Sequence, residues 1–353
     1  MRTVDEHKLR RFCDCALTAS GMSEQNAEIM SDVLVTTDKW GVYTHGTKNL
    51  DGYVLKAQAG GVSFSLEPEV TAVFPSMAVI DGHNTMGYLS AVKAMDLACD
   101  LAKETGIAIV LVKNSSHFGA TGYYSNRAAM RGMIGLSMTN VDKKMTIPGA
   151  KGIVMGHNPL ALSAPATLIP SIILDISSSN VASLKVLKAK AAGSLIPETW
   201  ISDKDGVPTN DPSKYPEEGA LLPFGNHKGY GIAIFVEILT SVMLAQPLST
   251  GNDVNSWCFD LDKPNNVCHC FVAVDPGKLG PLDEFKARVD RLIEDLHSAP
   301  KAKDSQSITV PGENMWKRFY KAEKQGIPLP EDVIAELEKL AARSGLKLDI
   351  FKE

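Results

Sequence analysis

Two histidines sit beside glycine in short polar links, His45 in Thr44-His45-Gly46 and His117 in Ser116-His117-Phe118-Gly119. An imidazole exchanges a proton near neutral pH, which the interconversion of an alcohol and a carbonyl requires. The competing reading of either residue is a helix cap or the filling of a polar gap. Two further segments suit an anionic ligand. Asp175-Ile176-Ser177-Ser178-Ser179-Asn180 ends an apolar run and precedes a helical pattern, so its hydroxyls and amides could hold phosphate at a helix start, although a plain N-cap uses the same serines. Gly225-Asn226-His227-Lys228-Gly229-Tyr230-Gly231 combines backbone freedom with a cation ahead of a helix, a flexible turn being the alternative.

Other chemistries lose their support at this stage. No G-x-G-x-x-G follows a predicted strand and no G-x-x-x-x-G-K-[ST] occurs, which removes the standard Rossmann and P-loop readings. Cys268-His269-Cys270 has the residue types of a metal site, but on a strand its thiols face one way and its imidazole the other, so no metal is expected there. The 6 cysteines form no C-x-x-C pair and are expected as reduced thiols.

These side chains must be placed by a chain of 353 residues, length for roughly two domains. At 44% hydrophobic and 22% charged, the composition is that of an ordinary globular protein. Lys plus Arg number 36 against 41 Asp plus Glu, a net charge of −5 without a basic run, so no nucleic-acid partner is expected. The first residues lack the apolar stretch of a signal peptide, and Gly231 to Ala245 is interrupted by Glu237, so the expectation is a cytoplasmic protein without a membrane span.

Ala27, Met30, Val33 and Leu34 repeat at helical spacing between a Ser23 cap and Gly41, and Leu50, Tyr53, Val54 and Ala57 do so ahead of Gly60-Gly61. The first ~60 residues are therefore a helical region. Beyond them, Ala78-Val79-Ile80 and Ile107 to Val112 alternate with helical stretches at 87–104 and 120–131, which argues an α/β sheet. The run from Ile107 to Val112 is apolar throughout, as in a central strand covered on both faces, and it delivers the His117 loop. Further strands are predicted at 134–139, 160–164, 172–176 and 270–274, and helices at 229–244, 282–297 and 330–343. The boundaries drawn are a helical region 1–65, a mixed α/β cofactor-binding and catalytic core 66–280, and a C-terminal helical segment 281–353 that packs back on the first.

Taken in order, Tyr43-Thr44-His45-Gly46, Asn114-Ser115-Ser116-His117-Phe118-Gly119 through Tyr124, Gly156-His157-Asn158-Pro159-Leu160, Asp175 to Ser179, Ile196 to Trp200, Gly206 to Pro212, Leu222 to Gly225, Lys228-Gly229-Tyr230-Gly231 and Pro311-Gly312-Glu313 resemble the non-Rossmann malate/L-lactate dehydrogenase family. The resemblance runs from about residue 5 to 345. It implies a homodimeric oxidoreductase using NAD or NADP, with an N-terminal helical region and a mixed-sheet dinucleotide-binding domain of non-Rossmann type. The substrates implied are small 2-oxo or 2-hydroxy acids, with ureidoglycolate and cyclic imino acids as alternatives. A catalytically silent nucleotide- or metabolite-binding homologue is the reading of another class.

Carried onto this chain, the resemblance makes His45 the proton-transfer residue and His117 its active-site companion. Thr44, Lys48 and Asn140 fall on the substrate side. Asp175, Ile176, Ser177, His227, Lys228, Gly312 and Glu313 match segments that contact the dinucleotide. Many members read Ser-His-Gly-x-x-Arg, where this chain has Thr44 and Asn49, with Lys48 beside it. A lysine is a point charge and not a bidentate fork, so carboxylate recognition through Lys48 would be looser.

Overall fold

The computed structural model describes residues 1–352. Its N-terminal helices start where small polar side chains can take up free amides. Asp5 accepts from the Lys8 N–H to start α1 (Glu6–Ala19), and Ser23 accepts from the Asn26 N–H to start α2 (Glu24–Lys39). The periodic residues Ala27, Met30, Val33 and Leu34 are all buried. Helix α3 (Leu50–Gln58) stops ahead of Gly60, which takes a φ of 83°. The short strand β1 (Arg2–Val4) pairs antiparallel with β14 (Ile327–Leu329), which joins this region to the end of the chain.

A seven-stranded sheet forms the centre. Its first half is the hairpin β2 (Glu69–Phe74) and β3 (Met77–Asp81), then α4 (Gly87–Thr105) crossing to β4 (Ile107–Ser115), then α5 (Thr121–Met130) and β5 (Ile134–Thr139). Strands β8 (Leu160–Pro165) and β9 (Ser171–Ile176) complete one edge. Strand β13 (Val267–Val274) arrives from far along the sequence and inserts between β4 and β5, giving the order β2-β3-β4-β13-β5-β8-β9. Only β3 and β4 run parallel in it; every other pair is antiparallel. The α/β alternation thus produces a mixed sheet with a crossover helix, α4, between its parallel pair. The apolar run of β4 is central, as its pattern requires. Ala108, Val110 and Val112 join the main core, while Ile109 and Leu111 pack on the opposite face.

A smaller sheet caps the carboxyl end of β5. It is built from β6 (Lys143–Met145), β7 (Met155–Gly156), β10 (Ile201–Ser202), β11 (Pro208–Thr209) and β12 (Ala220–Leu221), beside α6 (Ser183–Ala192). Met145, Val186, Ile201 and Leu221 form its own core. The helix predicted over 229–244 is α7 (His227–Glu237), which continues as a π-helical turn over Ile238–Val242. Glu237 sits at that change of pitch, where its buried carboxylate accepts from the Ser249 N–H at 2.8 Å and from Asn158 Nδ2 at 2.7 Å. The chain ends with α8 (Leu282–His297), α9 (Glu313–Gln325) and α10 (Glu331–Ser344). Helix α9 lies outside the sequence expectation because most of its residues are polar. Only Glu313, Trp316 and Ala322 are buried in it.

Candidate active site

The His45 turn is fastened to the last turn of α2 by a carboxylate. Asp38 Oδ2 accepts from the Thr47 N–H at 3.2 Å and the Thr47 hydroxyl at 2.6 Å. Its other oxygen lies so close to Gly46 that a Cβ there would stand 1.8 Å away, so the residue after His45 has to be glycine. Burial pushes the Asp38 carboxyl up to about 7, against the lowering effect of the two Thr47 bonds. Within the turn, Thr44 Oγ1 lies 2.9 Å from His45 Nδ1, and Asn49 Nδ2 donates to the Thr44 carbonyl at 2.9 Å.

The second histidine leaves the end of β4. The Ser116 hydroxyl donates to the Thr85 carbonyl and accepts from the Gly87 N–H, which pins the loop to the start of α4. His117 Nδ1 lies 2.8 Å from the Tyr53 hydroxyl, and the Tyr88 hydroxyl donates to Tyr53 at 2.9 Å. A phenol has one proton, so Tyr53, accepting from Tyr88, donates to Nδ1 and leaves the N–H of a neutral His117 on Nε2. The His45 and His117 rings stand 5.9 Å apart at 25°. Trp257, from the loop between the π-helical turn and β13, stacks on His117 at 4.9 Å and meets Tyr53 at 4.9 Å with the rings tilted by 40°. That loop is held to α3 by Lys56, whose buried Nζ donates to the Asp260 carbonyl at 2.7 Å and the Lys263 carbonyl at 2.6 Å.

Lys144 on β6 supplies the charge of the site. It pairs with Asp142 at 3.2 Å. Burial, followed by the Lys144 cation, holds His45 down to about 4. His157 is held down to about 3 by burial, then Lys144, then His45, and its Nδ1 is buried with no hydrogen-bond partner. His117 lies well below the usual imidazole value through burial, then His45 and Lys144. Three neutral imidazoles therefore share the site with the Lys144–Asp142 ion pair. A small cavity beside His117, of about 20 Å³, is lined by Asn140, Asp142, Asn255 and Trp257.

The substrate-side expectations separate here. Thr44 stands next to the His45 ring and Asn140 lines the cavity, though both ends of its amide are engaged: Oδ1 accepts from the Cys268 N–H at 2.7 Å and Nδ2 faces Glu237 at 3.4 Å. Lys48 forms an ion pair with Asp332 in the first turn of α10 at 2.8 Å, and Lys144, itself paired with Asp142, is the cation that bears on the imidazoles. Lys144 follows the end of β5 as the second lysine of Asp142-Lys143-Lys144; the sequence reading missed it, and its position past a strand exit is the signal that could have found it. Tyr53, His157 and Trp257 are likewise brought in by the fold.

The expected dinucleotide segments form two groups. The Ser178 carbonyl accepts from the Phe224 N–H at 2.9 Å, and a Cβ on Gly229 would lie 2.3 Å from it, so Ser177 to Ser179 rests against the start of α7. That start carries exposed His227 and Lys228 and has no side-chain cap. The Lys228 and Gly229 N–H groups are already taken by the Gly225 and Phe224 carbonyls, so the donors left for a pyrophosphate are the Lys228 ammonium, the His227 ring and the neighbouring hydroxyls. The Ser178 N–H donates to the His157 carbonyl, tying this cradle to the imidazole cluster. Ile176 precedes it on β9. Asp175 points elsewhere, accepting from the Gly122 N–H at the start of α5 at 2.7 Å, and burial raises its carboxyl to about 6. Gly312, at φ 86°, packs on the Ile173 backbone of β9, and Glu313 is engaged by His297 at 2.8 Å and Lys317 at 2.7 Å. Asp175, Gly312 and Glu313 thus make framework contacts, the Ser177 hydroxyl lies 3.0 Å from that of Ser179, and His227 and Lys228 are exposed.

The profile of the malate/L-lactate dehydrogenase family matches residues 4–338. The malate dehydrogenase of Pyrococcus horikoshii is 35% identical over 98% of this chain and 96% of its own. The NAD(+) ureidoglycolate dehydrogenase of Escherichia coli is 28% identical, over 94% of this chain and 93% of its own. The solved sulfolactate dehydrogenase of Methanocaldococcus jannaschii superposes with a TM-score of 0.90 at 30% identity, covering 98% of each chain. With the fold and the sequence matched over nearly their whole length, the chain belongs to the malate/L-lactate dehydrogenase family.

Proposed function

We propose that the protein is a dehydrogenase that uses NAD or NADP to interconvert a small 2-hydroxy acid and its 2-oxo acid. The observation that carries this reading is the pairing of His45 and His117 beside the Lys144 cation. When bound, the nicotinamide supplies or accepts the hydride. His117, with its proton on Nε2, donates a hydrogen bond to the substrate oxygen and orients it. His45, neutral, accepts the hydroxyl proton in the oxidation direction and returns it in reduction. Lys144 stabilises negative charge on that oxygen or on the substrate carboxylate. Asn49 is occupied by the Thr44 carbonyl, so the carboxylate contact passes to Lys144. His227 and Lys228 hold the dinucleotide phosphates, with Ser177 beside them.

The test is purified protein with NADH or NADPH and a panel of 2-oxo acids, with ureidoglycolate and NAD or NADP as a separate arm. Turnover of a 2-oxo acid supports the reading; dinucleotide binding without turnover of any of them supports the silent homologue.

The same proposal includes a homodimer in the cytoplasm. Phe235, Ile238, Val242 and Met243 are exposed along one face of α7 and its π-helical turn, an apolar strip that a second copy would cover. Light scattering gives the mass: a monomer at micromolar concentration overturns the dimer. No helix among the described residues is long and apolar enough to cross a membrane.

A further inference from the structure

We propose that His269 is a positioning residue that ties the end of β4 to the end of β5 and so fixes the spacing of the two loops that carry His117 and Lys144. The proposal rests on the reading of those two residues given above. Strands β4 and β5 are not neighbours in the sheet. β13 separates them, and at their carboxyl ends it presents one imidazole. His269 Nε2 lies 2.8 Å from the Ser115 hydroxyl, the last residue of β4, and Nδ1 lies 2.8 Å from the Thr139 hydroxyl, the last residue of β5. One buried side chain therefore spans both exits.

The backbone is shaped to allow this. The β4–β13 register is irregular between Val267 and His269: Val267 faces Ser115 while His269 faces Val112, so β4 carries one residue more than its partner. Such a bulge turns Ser115 onto the face that Val112 already occupies. Asn114 takes a φ of 50° within it and is held by two bonds from Nδ2 to the Asp81 carboxylate. On β13 the alternation then separates functions. Cys268 and Cys270 are buried apart from the imidazole, with Cys270 in the cluster of Leu111, Met138 and Val236. His269 faces the other way and lies flat on Phe118, the neighbour of His117, at 4.4 Å and 6°.

A neutral ring makes both bonds in either tautomer. With the N–H on Nδ1, the Thr139 hydroxyl accepts it and gives its own proton to the Asn140 carbonyl at 2.8 Å or the Cys268 carbonyl at 3.0 Å, while Nε2 accepts from Ser115. With the N–H on Nε2, Ser115 accepts it and gives its proton to Ser90 at 3.0 Å, which in turn bonds the Gly87 carbonyl at 3.1 Å. Burial holds the ring down to about 3, which keeps it neutral.

The experiment compares His269→Phe, which keeps a ring on Phe118 and removes both bonds, with His269→Asn, which retains a donor toward Thr139. Val110→Ala, in the middle of β4, serves as a control for plain loss of stability. Folding is checked by circular dichroism and Tm, activity by kcat and KM, and dinucleotide affinity by fluorescence. His269→Phe is expected to lower kcat about tenfold or more with dinucleotide Kd within about twofold, and His269→Asn to fall between it and the parent. Val110→Ala, with a comparable fall in Tm, is expected to keep kcat within about twofold. A folded His269→Phe with unchanged kcat, or an equal kcat loss in Val110→Ala, overturns the proposal. Should His269→Phe not fold, Ser115→Ala and Thr139→Val take its place with the same criteria. The 15N shifts of the imidazole report the bridge independently of turnover: a neutral ring with both nitrogens at hydrogen-bonded shifts supports it, and a nitrogen at its unbonded shift overturns it. If His117→Ala retains activity, the site reading falls, and the ring nitrogens alone decide the bridge.

Discussion

The ring of His45 lies 5.9 Å from the ring of His117, inclined by 25° to it, although one comes from the link between α2 and α3 and the other from the exit of β4. Neither ring has an acidic side chain among its hydrogen-bond partners, which are Thr44 for the first and Tyr53 for the second. With no carboxylate bonded to hold a proton on them, burial and the nearby Lys144 keep both neutral.

Removing these rings is expected to affect turnover far more than cofactor binding. His45→Ala should lose about 10²- to 10⁴-fold in kcat, the usual range for a general acid–base group. His117→Ala should lose turnover and raise KM for the substrate. NADH or NADPH Kd, read by fluorescence, should stay within about twofold for both. If His45→Ala keeps activity within about tenfold while His117→Ala loses more, the two roles are exchanged.

The pH dependence follows from the depressed value of His45. A base must be unprotonated, and a group held down to about 4 stays so at every pH above that value. In the oxidation direction kcat/KM is therefore expected to be level through neutral pH and to fall about tenfold per unit below about 4. An acidic limb centred near 6.5, the ordinary imidazole value, would show that His45 is not the base.

Lys144 is expected to act on both rate and limb. Its ammonium disfavours a second positive charge on the imidazoles, so Lys144→Met should move the acidic limb of kcat/KM upward while lowering kcat. Lys144→Arg, which keeps the cation, should leave the limb in place. Equal limbs in the two variants would separate Lys144 from the histidine cluster.

Asp38 gives a stability signature. Its folded value of about 7 lies above the ordinary carboxyl value of 3.8, so between them the folded state holds the proton that the unfolded state has lost. The contribution of the protonated carboxyl to stability is full below about 4 and is lost as pH rises through 7. Asp38→Asn cannot titrate, so its stability relative to the parent should improve as pH goes from 4.5 to 8, measured by urea unfolding. A difference that does not change with pH would contradict the buried, raised carboxyl.

At the other end of the site, Lys228→Met is expected to weaken dinucleotide binding roughly tenfold, about 1.4 kcal/mol, with kcat at saturation unchanged. The loss should shrink as salt is added, because Lys228 is exposed. An unaltered Kd would remove α7 from the phosphate site.

The sequence allowed α2 with its Ser23 cap and the central strand β4 to be read directly, since each depends on residues within one turn or one run. It also marked His45 and His117 separately, by type and by the glycine beside each. What it did not contain was the meeting of distant segments. The insertion of β13 between β4 and β5 pairs His269 with Thr139, 130 residues apart, and no local periodicity encodes that. Lys48 and Lys144 show the same limit. Both follow a chemically suggestive segment and both are ion-paired, Lys144 with the nearby Asp142 and Lys48 with Asp332, 284 residues away, a partner that only the fold supplies.

Trp257 reaches His117 from a stretch that follows it by 140 residues, and the loop that brings it is tethered by Lys56 to a helix near the start of the chain. During synthesis both histidines leave the ribosome long before the indole that covers one of them. A chain that ends before Trp257 lacks both the indole on His117 and strand β13. Competence is then acquired late and as a whole, so a chain cut short at residue 250 is expected to be inert, whatever dinucleotide it still binds.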